Sequence, residues 1–235
     1  MIDHSLMSDM LSPFWVSIKL ASVTTLCLLF FATPLAYWLA KPSRTQSGAR
    51  LKVLLMGIIA MPLVLPPTVI GFYLLLLLSP SVGIGQWLSA HNISPLVFTF
   101  EGLVIGSIIY SLPFYVQPVY AQFLRIPQSV IEVAHLLEPS TFRRFISVAL
   151  PQARVGIVLG GLISFAHTIG EFGVVLMIGG SISGETKVVS IAIYEQVEAL
   201  NYEAAHLMSG VLIIMGVVMV ALIASVSRMS QRSSN

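Results

Sequence analysis

Charged side chains are scarce in this sequence, and their scarcity excludes an ordinary soluble domain. Only 9% of the 235 residues are Asp, Glu, Lys or Arg, and 56% are hydrophobic. Soluble domains carry about 25% charged residues. The mean hydropathy of +0.91 points the same way. A chain of this length and composition has room for several membrane spans but not for an ATPase domain as well.

Cysteine is also rare, and the start of the chain lacks the basic residues of a secretory signal. The single Cys27 lies in an apolar run, which excludes an internal disulfide. The first residues carry two aspartates where a signal peptide has Lys or Arg. We therefore expect the first hydrophobic run to remain as a membrane anchor, and we expect no metal site.

Hydrophobic runs account for most of the chain. Each is near or above the roughly 20 residues that a helix needs to cross the hydrocarbon core of a bilayer. They predict an all-α membrane protein with about five transmembrane helices, embedded in the lipid bilayer as a single domain over residues 1–235. The predicted spans are residues 13–40, 53–79, 95–124, 155–180 and 205–227.

The basic residues indicate how these spans are oriented. Ten of the twelve Lys and Arg residues lie in residues 41–52, 125–154 and 228–232, which all fall on one side of the predicted spans. Cytoplasmic loops are enriched in Lys and Arg. We therefore predict a multi-pass protein of the cell inner membrane, with the N-terminus outside and the C-terminus in the cytoplasm.

A polar segment, residues 126–154, separates the third and fourth predicted spans. Ser140 can cap a short helix because its hydroxyl can accept a hydrogen bond from a free backbone N–H group. Helical spacing then predicts an arginine-bearing face with Arg143 and Arg144. The opposite, apolar face comprises Phe142, Phe145, Ile146 and Ala149. The segment is interpreted as a helix presented to a cytoplasmic partner, and an ordinary basic loop is the alternative.

Prolines interrupt the second predicted span. Pro66 and Pro67 stand beside Thr68 and Gly71. Prolines free backbone carbonyl groups of a membrane helix, which is tolerated where these groups line a cavity or meet other protein. Broken helices also mark transport routes. We interpret the segment as part of a pathway or gate, and a kink that serves only packing is the alternative.

Two ionisable residues, His167 and Glu171, fall inside the fourth predicted span. Because they are four residues apart, we expect them to share one face of a helix. Ionisable groups inside a membrane are costly and usually functional. We expect this pair to fix packing near a gate, where Gly170 lets another helix approach. The alternative is a proton relay, which would make the protein a proton-coupled secondary transporter.

The polar segment resembles a known docking element. Its Glu132-x-Ala134, Phe142 and Leu150-Pro151 are similar to the EAA loop of the permeases of ABC importers. In that family the loop binds the cytoplasmic ATPase. The resemblance implies that this segment couples the membrane domain to a separate ATPase.

Further motifs resemble one branch of that family. The sequence GEFG at residues 170–173 and the sequence GET at residues 184–186 are similar to those in permeases of molybdate ABC transporters. The resemblance implies a type I ABC importer permease fold and the translocation of molybdate. The alternative is an ABC importer permease of the same kind that carries tungstate or sulfate.

The resemblance also implies the partners. These are a second copy of the chain in a homodimer, two cytoplasmic ATPase subunits and an extracytoplasmic oxyanion-binding protein, with no nucleic acid.

Residues 179–186 nearly match the pattern of a phosphate-binding loop, but Glu185 stands where a lysine must contact the phosphates. We therefore expect this chain to be non-catalytic and to bind no cofactor, while a partner subunit uses ATP.

Two sets of site residues follow. The coupling set comprises Glu132, Ala134, Glu138, Ser140, Phe142, Arg143, Arg144, Leu150 and Pro151. The pathway set comprises Pro66, Pro67, Thr68, Gly71, His167, Gly170, Glu171 and Phe172. One position departs from the family pattern, because Glu138 occupies the place of the usual glycine. A proline follows Glu138 and favours extended backbone there.

Overall fold

The computed structural model describes residues 4–43, 45–92, 94–138 and 140–232, and every regular element in those ranges is helical. The α-helices are α1 (His4–Ala40), α2 (Gln46–Ala60), α3 (Pro67–Leu78), α4 (Gly83–Ala90), α5 (Phe100–Leu124), α6 (Gln128–Leu137), α7 (Thr141–Arg144), α8 (Leu150–Gln152), α9 (Arg154–Ile169), α10 (Gly173–Gly179), α11 (Val189–Glu198) and α12 (Tyr202–Arg232). A 3₁₀ turn, Met61–Leu63, follows α2, and a π-helical turn, Phe145–Ala149, joins α7 to α8. The predicted all-α class is confirmed.

The core of the molecule is formed where α1, α5 and α9 pack together. Tyr115 and Val119 of α5 are fully buried in a cluster with Leu28 of α1. The Tyr115 hydroxyl shares a 2.7 Å hydrogen bond with the buried hydroxyl of Thr33. Gly160 lets α9 approach closely, because a Cβ there would lie 2.9 Å from the carbonyl oxygen of Tyr115. Small residues at helix contacts are typical of membrane bundles.

Four segments of the described chain are long and apolar enough to cross a membrane. They are Met10–Ala40, Pro67–Ala90, Phe100–Leu124 and Tyr202–Arg228. A further pair, Thr141–Gln152 and Arg154–Ile169, is bent by 73° and gives a fifth span if it is counted as one. The protein is therefore a multi-pass membrane protein with four or five spans.

The second predicted span is divided into two helices. α2 ends at Ala60, and α3 begins at Pro67. A proline has no N–H group to donate and clashes with the preceding turn, but it fits the first turn of a helix. The prolines therefore end one helix and start the next. A further short helix, α4, follows α3 before α5 begins.

The fourth predicted span is likewise not one continuous helix. α9 ends at Ile169, residues 170–172 leave the helical path, and α10 begins at Gly173. α10 has only seven residues, so it does not cross a membrane by itself.

After this break, α10 packs tightly against α3. A Cβ on Gly173 would lie 2.7 Å from the Pro67 ring, and a Cβ on Gly71 would lie 2.8 Å from Met177. Such spacing tolerates only glycine at both positions. α10 is therefore held against α3 instead of continuing the axis of α9.

α11 is an amphipathic helix, as its sequence pattern predicts. Val189 and Ile191 are fully buried, whereas Tyr194 is exposed. The Val189 N–H group donates to the hydroxyl of Ser17 on α1 at 2.9 Å. One side of α11 is thus fixed to the bundle, and the other side faces outward.

Among the four candidate spans of the described chain, the one formed by α12 has the most apolar window and is the least covered. Its apolar window has a mean hydropathy of 2.7 and is only 6% buried. Ile213, Ile214 and Val217 are all exposed. A surface of this kind lies in hydrocarbon or against another membrane helix.

Candidate coupling surface and pathway cavity

A cavity of about 530 Å³ opens where α3 begins and α9 ends. Six of the eight residues of the pathway set line it, together with Tyr110 of α5. The six are Pro67, Thr68, His167, Gly170, Glu171 and Phe172. The two helix breaks, which lie about 100 residues apart in the sequence, therefore meet at one place.

The other two residues of the pathway set do not line this cavity. Pro66 is the cap residue before α3. Gly71 is buried against α10, where it permits the close contact with Met177. These two residues belong to the segment that forms the cavity wall, but they do not line the cavity themselves.

Glu171 is the most buried polar group at the cavity, with only 4% of its surface exposed. Ser107 of α5 donates a hydrogen bond to its Oε2 atom at 3.0 Å, while the Oε1 atom has no partner. Ser190 donates to the Glu171 carbonyl oxygen at 2.5 Å. Neither ion pair in the described part of the chain includes Glu171. A buried carboxyl group without a cation is costly to ionise, and the hydrogen bond from Ser107 offsets part of this cost.

His167 is held by contacts with α5. Its ring stacks on Phe114 with 3.8 Å between the ring centres and lies 4.9 Å from the Tyr110 ring. Its Nδ1 atom is 3.0 Å from the hydroxyl of Ser111. The same Ser111 oxygen is 3.0 Å from the Thr168 hydroxyl. These contacts fix the orientation of the imidazole in the cavity wall.

The prediction that His167 and Glu171 share one face of a helix is wrong. His167 lies in the last turn of α9, but Glu171 follows the end of that helix. Both side chains nevertheless meet α5, because Ser107 and Ser111 are one turn apart on it. Our sequence reasoning missed these two serines. Their spacing of four residues in an apolar helix is a signal that could have found them.

The coupling surface is built by α6, α7, the π-helical turn and α8. Ser140 caps α7 as predicted, since its hydroxyl accepts from the Arg143 N–H group at 3.4 Å. Phe142 is 70% exposed, and its neighbours on α6, Leu136 and Leu137, are 86% and 79% exposed. Large apolar side chains exposed together mark a contact site for another protein or for the membrane.

The predicted apolar face of this segment is split. Phe142 and Ile146 point outward, but Ala149 is buried and the Phe145 ring packs 4.9 Å from the ring of Tyr37 on α1. The reason is that the bundle itself takes up half of the apolar side chains. The segment is therefore joined to the core through Phe145 and leaves Phe142 exposed.

Glu138 shapes the turn between α6 and α7. Its backbone is extended, with φ −135° and ψ 102°, as predicted for this position. The proline after it lies outside the described residues. The Glu138 carboxylate accepts from the Ser140 N–H group at 3.3 Å and lies 3.8 Å from Arg143, while its carbonyl oxygen accepts from Arg144 at 2.8 Å. Hydrogen bonds here replace the conformational freedom that a glycine would provide.

The remaining residues of the coupling set have distinct positions. Glu132 is exposed on α6 and accepts from the Gln128 side chain at 3.3 Å. Ala134 is buried and helps to line an apolar groove of about 390 Å³ between α6 and the π-helical turn. Leu150 is half-buried, and the exposed Pro151 lies in the first turn of α8.

A broken-helix cavity inside a multi-pass bundle, joined to an exposed apolar segment, is the arrangement of a membrane transport subunit. Residues 32–234 match the family described as binding-protein-dependent transport system inner membrane component. This chain belongs to that family.

Individual relatives agree with this assignment. The chain is 47% identical over 195 residues to the molybdenum transport system permease protein ModB of Azotobacter vinelandii, covering 83% of this chain and 84% of the relative. It is 32% identical over 178 residues to the sulfate transport system permease protein CysW of Escherichia coli K12, covering 76% of this chain and 59% of that protein.

A solved structure supports the fold. A chain of a bacterial alginate ABC transporter, in complex with an alginate pentasaccharide-bound periplasmic protein, matches with a TM-score of 0.72 at 16% identity. The match covers 100% of this chain and 81% of that one. The predicted type I ABC importer permease fold is therefore confirmed.

Proposed function

We propose that this chain is the permease subunit of an ATP-driven importer that translocates molybdate. The observation that carries the proposal is the 47% identity, over most of both chains, to a relative named for molybdenum transport. The relative named for sulfate transport is less similar, at 32% identity. Sulfate is therefore an outcome of the test and not the first choice.

The pathway cavity fits a transient route for an oxyanion. Thr68 and Tyr110 offer hydroxyl groups at its wall, and no Lys or Arg lines it in the described chain. A dianion without a fixed counter-charge binds weakly in such a place. Selectivity in this proposal resides in a separate extracytoplasmic binding protein, and the permease only passes the ion on.

The coupling surface supplies the connection to the motor. In this proposal the exposed Phe142 and the apolar groove beside α6 receive a cytoplasmic ATPase subunit. Movement of that subunit reaches the bundle through the Phe145–Tyr37 contact. The permease itself is non-catalytic and binds no cofactor, because ATP is used by its partner.

A homodimer completes the proposed transporter. One chain forms only four or five spans, which is too few to enclose a route and also contact two ATPase subunits. Two copies related by a two-fold axis would place the route between them and one ATPase under each coupling surface. The nearly uncovered α12 leaves ample apolar surface for lipid and for a second copy.

The test is uptake of radiolabelled molybdate by cells that lack their own importer and express this chain with its ATPase and binding protein. We expect saturable uptake that stops on ATP depletion, persists with a protonophore and is unaffected by excess sulfate. Uptake blocked by sulfate would assign the cargo to sulfate. Loss of uptake with the protonophore alone would favour a proton-coupled transporter that uses His167 and Glu171.

A further inference from the structure

Basic residues from two helices converge where α1 ends. Lys52 of α2 donates through Nζ to the carbonyl oxygens of Trp38 and Lys41, at 2.5 and 2.6 Å. Lys41 Nζ lies 4.1 Å from the centre of the Tyr37 ring, and Lys52 Nζ lies 4.9 Å from the centre of the Trp38 ring. Two ammonium groups are thus held in place beside two aromatic rings.

Arg144 adds a third positive charge to this place. The next residue, Phe145, packs on the Tyr37 ring that also contacts Lys41. Burial lowers the pKa of Lys41, and the charges of Arg144 and Lys52 lower it further. Lys41 is therefore repelled by both Lys52 and Arg144, and we call these three residues the basic cluster.

No carboxylate of the described chain offsets this repulsion at the two lysines. Neither ion pair involves Lys41 or Lys52, and the nearby Glu138 pairs with Arg143. Lys41 and Lys52 are like charges held close together, which is unfavourable. An anion from outside the chain would remove that repulsion.

The position of the basic cluster indicates which anion this is. Lys41 directly follows the membrane-spanning segment Met10–Ala40, which places it at the level of the lipid headgroups. Trp38 is 42% exposed there, and tryptophan is enriched at the membrane interface. Leu51, Leu54 and Ile58 form an exposed apolar face on the neighbouring α2. A molecule that binds here meets cations at one end and an apolar surface along its length.

We propose that Lys41, Lys52 and Arg144 bind the phosphate group of an anionic phospholipid, whose acyl chains lie along the exposed face of α2. Basic pockets beside membrane helices are suited to such headgroups. A soluble anion would not use the apolar face. The bound lipid would link the end of α1 to the coupling surface through Arg144. The proposal does not depend on the cargo of the transporter.

The test is native mass spectrometry of the full chain in detergent, titrated with phosphatidylglycerol or with phosphatidylcholine. We expect phosphatidylglycerol to bind more tightly, and Lys41→Gln to weaken its binding about five-fold, since one lysine near an anionic lipid surface contributes on that order. Lys41→Arg should restore binding. Lys52 is left unchanged because it also satisfies the carbonyl groups at the end of α1.

Lys19→Gln is the matched control. Lys19 lies on α1, which ends one residue before Lys41, and its Nζ atom is 4.1 Å from the Phe100 ring centre. It is about 33 Å from Lys41 along the helix axis at 1.5 Å per residue. Unchanged lipid binding in this variant supports the proposal. An equal loss in Lys19→Gln and Lys41→Gln would overturn it.

Three further outcomes would overturn the proposal. They are equal affinity for the two lipids, displacement of the lipid by inorganic phosphate at equal concentration, and complete displacement by the ATPase subunit. The second would assign the basic cluster to a soluble anion, and the third would assign it to a protein partner. The comparison of the two lipids needs no variant, so it stands even if a substitution prevents folding.

Discussion

Ser107 shows how a single hydroxyl group can hold a carboxyl group inside a helical bundle. It is fully buried on α5 and donates to Glu171, which lies just beyond the end of α9. Since the other Glu171 oxygen has no partner, this is the only side-chain hydrogen bond that the described residues give the group. The position of the Glu171 carboxyl group therefore depends on one serine of another helix.

Replacing Ser107 with alanine should destabilise the protein. A buried polar group that loses its partner costs about 1–3 kcal/mol. We expect Ser107→Ala to lower the midpoint of thermal unfolding in detergent and to reduce molybdate uptake. The control is Ser225→Ala, because Ser225 is exposed on α12 and bonds only its own helix, at Ala221. Equal midpoints for the two variants would contradict this role of Ser107.

Local and distant interactions differ in how well the sequence predicts them. The Ser140 cap and the extended Glu138 were predicted because both depend on residues within three positions. The bond between Ser107 and Glu171 joins residues 64 positions apart. Which serine of α5 faces Glu171 depends on how two helices pack, and no local pattern contains that information.

At the scale of the helices, two aromatic side chains of the coupling surface have different positions, one exposed and one packed on the bundle. Phe142 is exposed and accessible to a partner protein, while Phe145 packs against Tyr37 and fixes the same segment to α1. Exposed aromatic side chains often supply much of the binding free energy at an interface. Phe142 is therefore the side chain whose loss should affect ATPase binding most.

A negative charge at position 142 should prevent the ATPase subunit from driving uptake. We expect Phe142→Glu to fold normally, to weaken co-purification with the ATPase at least about ten-fold, and to abolish uptake, since burying an unpaired carboxylate is costly. Leu200→Glu is the control, because Leu200 is similarly exposed but follows α11. Normal uptake in Phe142→Glu would refute the coupling role.

The helix breaks show the limits of sequence reasoning at this scale. The proline break before α3 was visible because proline lacks the N–H group that a helix needs. The break after Ile169 was not, since residues 155–180 are apolar enough to be taken for one span. The helix that follows this break packs through Gly173 against Pro67, a contact between helices that are distant in sequence and that no local pattern contains.

The whole molecule has a marked asymmetry of charge. The basic residues of the cluster and of the coupling surface lie at one end of α1. Glu195 lies elsewhere, on α11, and pairs with Lys187 at 2.7 Å. The positive end is therefore predicted to face the cytoplasm. This orientation is a property of the complete chain and requires a test in intact cells.

Cysteine labelling provides that test. In a Cys27→Ser background, a membrane-impermeant maleimide should label Glu185→Cys in intact cells and Arg143→Cys only after the membrane is opened. Both side chains are exposed, so access to solvent is comparable. Labelling of Arg143→Cys in intact cells would reverse the orientation and remove the basis for an ATPase at this surface.

The glycine contacts between α3 and α10 restrict how the cavity can widen. Each helix inserts into a notch left by a missing side chain on the other, so sliding or parting them would open a void that nothing in the chain can fill. The two short helices should consequently travel as one rigid wedge. The same kind of contact joins this wedge to α5, because a Cβ on Gly106 would lie 2.6 Å from Ile178 and a Cβ on Gly179 would lie 2.5 Å from Leu103. Any change in access to the cavity should therefore move α3, α10 and α5 together, and not as flaps that swing independently.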